Sequence, residues 1–600
     1  MYTNHESLIN EEVFYLWLKP VLFQPKTRPK NMEVDMGFDL AQLKALENTL
    51  QNILTGVYSQ AEIKALLLKL RQLVVSQQSY QGREHQVDQS DVVLITYGDS
   101  IFQHGIAPLQ TLHDFLNEHV KVELSAVHIL PCYPYTSDDG FSVTDYWKIN
   151  PELGDWDDID SLSSDYDLML DAVINHISQS SDWFQGFLLG DERYNHFFTQ
   201  ANPNCDYSSV TRPRALPLLT PFDTAEGVKH IWTTFSEDQI DLNYRNPDVF
   251  LKIAELLLFY VEQGATFIRL DAVGFMWKEL GTPCIHQPQT HAIIQAYRAI
   301  MDRVAPHVKL ITETNVPHKD NISYFGNGAN EAHLVYQFPL PPLTLHTIQG
   351  GDSTRFMDWM IGLEPCSPET TYFNFLASHD GIGVRPVEGI LTDAELDVLL
   401  NHVQANGGRV SYKDNGDGTQ SPYELNINYF DAVCDLRLSE ELNLKRFMAA
   451  QSILLSLAGV PGIYIHSLLG SGNDQIGLER LGYHRAINRE KLDRIQLEKE
   501  LANPSTRRAV VLKHFKHLLT TRQQCPSFAP HTSQRVVKTN HQLITFVRDE
   551  AVAVIINISS QAVELDSRLL LENLSNDLIS GAHVKNMLTL LPYQVMWLSS

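Results

Sequence analysis

The stretch FIRLDAVGF, residues 267–275, sets Arg269 and Asp271 two apart in a run otherwise made of strand-forming apolar residues. Side chains two apart on a strand share a face, so both charges point the same way as Phe267. Three further runs end on polar residues of similar type: DAVINH carries Asp171, Asn175 and His176, ITETN carries Glu313, and ASHDG carries His379 and Asp380. Several carboxylates around one guanidinium suit a reaction that develops positive charge at carbon, with one carboxylate ionised and another keeping its proton as an acid. Glycosyl transfer makes that demand: a nucleophilic carboxylate, an acid/base carboxyl and further groups holding sugar hydroxyls. The bland alternative is a set of buried salt bridges, for which one carboxylate on Arg269 is enough.

These runs belong to a series of eight: VVLITYG, SAVHILPCYP, LMLDAVINH, ATFIRLDAV, KLITETN, HLVYQF, TYFNFLASH and PGIYIHSL. Helix-like segments such as PLQTLHDFLNEHV and THAIIQAYRAIMDRVA lie between several of them. The alternation predicts an α/β protein built on a (β/α)8 TIM barrel, with an open doubly wound sheet as the alternative. In a barrel the C-terminal strand ends form the mouth, where the polar residues above would meet. Two connections are too long for simple barrel loops, about residues 177–240 and 381–450, and are expected to be inserted subdomains within a catalytic region spanning 91–525. Residues 1–90 are expected to form a helical extension, with Leu40, Leu43, Leu50 and Leu54 at helical spacing and a capping box at Ser59 and Glu62; a homodimer face is the alternative use of that segment. Residues 526–600 read as a small all-β domain.

Composition narrows the partners. The 600 residues hold 46 Lys and Arg against 72 Asp and Glu, a net charge of −26, which disfavours nucleic acid and anionic membrane and leaves small molecules. An anionic substrate would need a local cluster of cations. The six cysteines are widely spaced without a C-x-x-C pair, which fits reduced thiols in a cytoplasm. The N-terminus, with Glu6, Glu11 and Glu12, is no secretory leader. The uncharged segment from Met448 is broken by Pro461 and Gly462 and reads as a buried helix and strand, not a membrane span. Cys284, His286 and His291 fit no common metal spacing, so no metal is expected, and without a glycine-rich phosphate loop no nucleotide cofactor is expected either.

Together DAVINH, FIRLDAVGF, ITETN and ASHDG resemble, in order and spacing, the four signature regions of the α-amylase superfamily, glycoside hydrolase family thirteen. The resemblance implies Asp271 as nucleophile, Glu313 as general acid/base, Asp380 as the carboxylate gripping the sugar, Arg269 orienting Asp271, and His176 and His379 on the glucose hydroxyls. LITYGDS, SDDGFSVTDY, TTFSEDQIDLN, HDGIGVRPVEGIL and RAINR are similar to the sucrose phosphorylase branch, over essentially residues 90–600. That branch implies Asp138 and Phe141 in the glucose site, Phe235 and Gln239 over the intermediate, and Pro213, Arg214 and Tyr423 at the acceptor and phosphate end, with Arg485 nearby. Core packing is the alternative for Phe141 and Phe235, and a surface or salt-bridge role for each Arg. GFMWKELGTPCIH, ITETNVPHKDNI and YKDNGDGTQSPYELN look most like the glucosylglycerate phosphorylases, and Arg214, Lys413 and Arg385 would suit an anionic acceptor. Expected, then, is a retaining phosphorylase acting on an α-glucoside and inorganic phosphate without cofactor. Sucrose, sucrose 6-phosphate or glucosylglycerol stand as alternative substrates. An α-glucosidase or transglucosidase, and an inactive amylase-like binding protein, are the alternatives to phosphorolysis.

Overall fold

All eight apolar runs form parallel strands: β1 Val93–Thr96, β2 Ala126–Ile129, β3 Asp167–Val173, β4 Ala265–Asp271, β5 Lys309–Thr312, β6 Leu334–Tyr336, β7 Thr371–Phe375 and β8 Val460–Tyr464. The computed structural model describes residues 33–35, 40–76, 79–81, 86–214, 216–415 and 418–600. The opening stretch with Glu6, Glu11 and Glu12 lies outside the described residues. The strands pair in chain order and close β8 on β1, giving a (β/α)8 barrel. Every residue of β1, β2, β7 and β8 is buried, which is why these runs lack polar alternation: helices cover one face and barrel side chains fill the other. The register sets Arg269 of β4 opposite Asp171 of β3 and Ile311 of β5. One charged row therefore crosses adjacent strands near the mouth.

Capping residues in the sequence start the flanking helices. Helix α1 spans Leu40–Leu54, α2 Gln60–Ser76, α3 Pro108–His119, α4 Pro247–Glu262 and α5 Pro288–Val304. Asn246 caps α4 with Pro247 in its first turn, where a missing N–H costs nothing. At α2 the Ser59 N–H donates to Glu62 at 2.8 Å and the Glu62 N–H to Ser59 Oγ at 3.4 Å, a reciprocal cap. The apolar faces of α1 and α2 pack on α5 and α4 of the same chain. Tyr58 donates to the Tyr244 carbonyl at 2.8 Å and Lys69 pairs with Asp248 at 2.5 Å.

Two connections enlarge the mouth. After β3, His176–Ser178 pairs with Gln239–Asp241, and between them lie a short helix, Asp182–Leu188, and a hairpin of Leu219–Thr224 with Gly227–Trp232. After β7, Ile382–Gly383, Gln420–Asn426 and Arg409–Asp414 form a three-stranded antiparallel sheet in that order, with a helix at Asp393–Ala405. Helix α6, Glu440–Ser456, then leads into β8. It starts before the uncharged run at Met448, because its first turns are polar and end at a Ser439 cap. Among the described residues no helix is long and apolar enough to cross a membrane.

Helix α7, Arg507–Gln523, precedes a five-stranded antiparallel sheet in which alternate residues face different cores. Ile544, Phe546, Val554, Ile556 and Trp597 join the barrel's core, while Leu543, Val547, Ala553, Ile555 and Leu598 pack on a two-stranded sheet beyond. Two buried arginines lock this seam. Arg522 donates to the Leu455 carbonyl at 3.0 Å and Arg548 to the Ser456 carbonyl at 2.7 Å, so both guanidiniums satisfy the C-terminal end of α6.

Inside the barrel, Gly462 on β8 makes room for Phe373 of β7: a Cβ there would lie 2.4 Å from the Phe373 ring. Gly462→Ala is expected to destabilise the protein by about 1–3 kcal/mol through overpacking, read as a lower urea midpoint with an unchanged slope.

Candidate active site

Arg269 projects from β4 into the barrel with a side chain only 2% exposed. Its Nη1 donates to Asp271 Oδ1 at 2.9 Å and also to Asp171, and its Nη2 lies 3.9 Å from Glu313 Oε2. Asp171 is shared with His128 of β2, whose Nε2 is 2.6 Å from Asp171 Oδ2. The guanidinium also sits by the rings of Phe141 and Tyr336, 5.8 and 5.5 Å from their centroids. Asp271 ends its strand because Ala272 turns into the left-handed region at φ 50°, which aims the Ala272 N–H at Glu313 Oε2, 3.3 Å away. Strand β4 and the end of β5 thus deliver two carboxyls to one cation.

Burial lifts the pKa of both Asp271 and Glu313, and Arg269 opposes the lift at each. The charge of Glu313 acts on Asp271, so the two titrate as a pair. Arg269 hydrogen-bonds Asp271 and only approaches Glu313, so its support for the ionised form is stronger at Asp271. Asp380 behaves oppositely. Burial would raise it, but Arg485 at 2.7 Å and Arg489 at 3.9 Å hold its carboxyl well below the usual range. Neighbouring His379 is pushed down to about 3 by burial and stacks on Phe141 with centroids 4.8 Å apart.

The opposite wall is built by SDDGF. Asp138 and Asp139 both adopt left-handed backbone, and Gly140, at φ 108°, packs where a Cβ would meet the Pro131 carbonyl at 2.7 Å. Asp138 Oδ2 accepts from Arg214 at 2.9 Å and from Gln239 at 3.1 Å. Burial notwithstanding, Arg214, Arg485 and Arg489 hold Asp138 well below the usual carboxylate range. His176, kept neutral by burial, donates through Nε2 to the Phe141 carbonyl at 2.8 Å, and its ring lies 5.2 Å from that of Phe235.

The structure gathers Asp138, Phe141, His176, Phe235, Gln239, Arg269, Asp271, Glu313, His379, Asp380 and Arg485 around one mouth. Arg214 is not free: it pairs with Asp138 and lies over Phe235, 5.7 Å from the ring centroid. Pro213 is buried beside it. Tyr423 joins from the sheet after β7, its phenol pushed up to about 12 by burial, within the fields of Glu424, Arg485, Arg214 and Glu313. Cys284, His286 and His291 do not converge. His286 bonds Tyr324 at 2.7 Å, His291 bonds Glu331 at 2.8 Å, and the Cys284 thiol donates to the Glu279 carbonyl at 3.3 Å.

Sequence reasoning passed over several residues. Arg489, the second Arg of RAINR, pairs with Asp139 and donates to the His379 carbonyl at 2.8 Å. Glu424 accepts from Arg485 at 3.0 Å and from the Gly381 N–H at 2.8 Å, tying the loop after β7 to its own sheet. Lys278 is buried on Asp241 at 2.6 Å and on Asn175 at 3.2 Å, beneath His176 and Gln239. The spare Arg in RAINR was a visible signal; Glu424 and Lys278 carried none.

Residues 108–382 match the family model described as "Alpha amylase, catalytic domain". A glucosylglycerate phosphorylase from Allomeiothermus silvanus is 50% identical over 86% of this chain and 92% of its own length. One from Escherichia coli K12 is 45% identical over 92% of this chain and 98% of its own. A crystal structure of sucrose 6F-phosphate phosphorylase from Thermoanaerobacter thermosaccharolyticum superposes with a TM-score of 0.68 at 24% identity, covering 80% of this chain and 95% of that one, a likeness of fold. Such identity over nearly the full length of two relatives, on the same barrel and with this mouth, makes the chain a member of the α-amylase family, on the branch of the glucosylglycerate phosphorylases.

Proposed function

We propose that the protein is a retaining α-glucoside phosphorylase that converts glucosylglycerate and phosphate into α-D-glucose 1-phosphate and glycerate. The observation that carries it is the pair of carboxyls, Asp271 and Glu313, held by the one buried guanidinium of Arg269. Asp271 Oδ attacks the anomeric carbon while Glu313 gives its proton to the departing glycosidic oxygen, and glycerate leaves a glucosyl ester on Asp271. Phosphate then attacks the same carbon, its proton passes to Glu313, and the ester bond breaks to free Asp271. The sugar sits against Asp380, Asp138, His176 and His379 with Phe141 beneath it and Arg485 setting Asp380. Phe235 and Gln239 cover the ester against water, and Arg214, Pro213 and Tyr423 face the acceptor and phosphate.

The acceptor follows from the relatives, both named for glucosylglycerate. No step calls on a metal or cofactor. The six cysteines form no disulfide, which supports a cytoplasmic location, where phosphate is abundant.

Glucosylglycerate, glucosylglycerol, sucrose and sucrose 6-phosphate, each offered with phosphate, test the assignment through α-glucose 1-phosphate release. Glucosylglycerate is expected to be fastest, with product formation strictly dependent on phosphate. Equal glucose release without phosphate would make the protein a hydrolase. Asp271→Asn is expected to lose about 10⁴-fold or more in kcat while remaining folded. Because the pKa of Glu313 is raised, its acid form is present below that pKa and lost as pH rises through it. The rate on glucosylglycerate should therefore fall on the alkaline side. With α-glucosyl fluoride, whose leaving group needs no proton, that limb should flatten, and Glu313→Gln should cost about 10²–10⁴-fold less than on glucosylglycerate. Parallel losses on both substrates would remove Glu313 from the acid role.

A further inference from the structure

Beside the strand that carries Tyr423 stand two cations, Arg385 and Lys413, whose only ion-pair partner among the described residues is the exposed Glu388. Arg385 begins the turn Arg385–Val387, just past Ile382–Gly383. Gly383 lies against Asn315, since a Cβ there would be 2.7 Å from the Asn315 amide. Asn315, Gly383, Glu313 and Asp380 line one cavity. The Val384 N–H bonds the Tyr423 carbonyl at 3.1 Å, which sets Arg385 beside one edge of the strand Gln420–Asn426. On its other edge Lys413 stands opposite Ser421. Both cations thus flank the segment that brings Tyr423 to the mouth.

Neither has a buried carboxylate partner. The nearest carboxylate to Arg385 is Glu388, at 3.7 Å and more than half exposed, and the Arg385 Nε is buried without a hydrogen bond. Lys413 makes no ion pair or hydrogen bond to a described residue; burial and the charge of Arg385 both push its pKa down. Nearby His286 is pushed down to about 4 by burial, with the field of Arg385 adding to the shift, so it contributes a neutral ring. A chain with 72 acidic residues has no shortage of partners. Two adjacent, half-buried cations served only by the exposed Glu388 repel each other and cost desolvation, a cost that an anion placed between them would offset.

We infer that Arg385 and Lys413 form the binding site for the acceptor's carboxylate, so that the protein selects a short hydroxy-carboxylic acid over a neutral polyol. This rests on the phosphorylase assignment above and gives its acceptor a physical basis. The planar fork of Arg385 suits the two oxygens of a carboxylate, with Lys413 adding a point charge. The acceptor hydroxyl is then turned toward the anomeric carbon, and its proton passes to Glu313.

The reverse reaction tests the site. Phosphate release from α-glucose 1-phosphate is measured with D-glycerate, glycerol or fructose 6-phosphate as acceptor, for the wild type, Arg385→Met, Lys413→Met and the double variant. The ratio of kcat/KM for glycerate to that for glycerol should fall about 10- to 100-fold in each single variant and further in the double, with Arg385→Lys recovering part of the loss. An unchanged ratio would overturn the assignment, as would a wild-type preference for fructose 6-phosphate over glycerate. If the wild type releases no phosphate with glycerate, the glucosylglycerate assignment falls instead. Suppression of glucose release from α-glucosyl fluoride by glycerate then decides the anion site: suppression lost in the double variant upholds it, and equal or absent suppression in both proteins removes it.

Discussion

A guanidinium cannot be taken out of water without compensation, and Arg269 is the point on which that constraint falls hardest. Its side chain is 2% exposed and touches carboxylates from its own strand and from β3, with Glu313 just beyond contact. Strand β2 is drawn in too, because His128 takes the second oxygen of Asp171. Removing any one partner would leave a charge stranded in a region too dry to hold it. Strands β2 to β5 are therefore aligned by one electrostatic cluster as well as by their ladders. Burial, with the neighbouring carboxylates, raises the pKa of Glu313, so the barrel's integrity and the acid of the proposed mechanism share an origin.

Around this centre, further cations are assigned to particular carboxylates. Arg485 divides itself between Asp380 and Glu424, Arg489 takes Asp139, and Arg214 takes Asp138. Asp380 and Asp138 are consequently ionised through the neutral range and can accept from sugar hydroxyls, while burial raises the pKa of Glu313 and of Asp271. Carboxyls held low beside carboxyls driven up, within one pocket, is a division that glycosyl transfer can use.

The supporting structure follows a different rule. Arg522 and Arg548 are also buried arginines, but their partners are main-chain carbonyls, including those at the end of α6, and the Thr532 hydroxyl, and burial pulls their pKa values down to about 10 and about 9. They join the C-terminal sheet to the barrel without any carboxylate. Charge at the mouth is paired for chemistry, and charge at the seam is paired for geometry.

The eight strands, the (β/α)8 architecture and the three carboxylates were all legible in the sequence, since a short apolar run ending in a polar residue is a local pattern. Family membership was legible for the same reason: it resides in four short motifs. Helix α6 was only half visible, because an uncharged run marks its buried part and nothing apolar marks its first turns at Glu440. What the tertiary structure alone decided was partnership. Arg214 faces Asp138 across 76 positions and Arg489 faces Asp139 across 350, separations over which composition and periodicity hold no information. Glu424 and Lys278 stayed hidden because a lone charged residue becomes a structural tie only once the fold brings Arg485 or Asp241 against it. The local sequence set which groups were available, and closure of the barrel with its two long loops set which charges met, and so which carboxyl pKa values were driven down and which up.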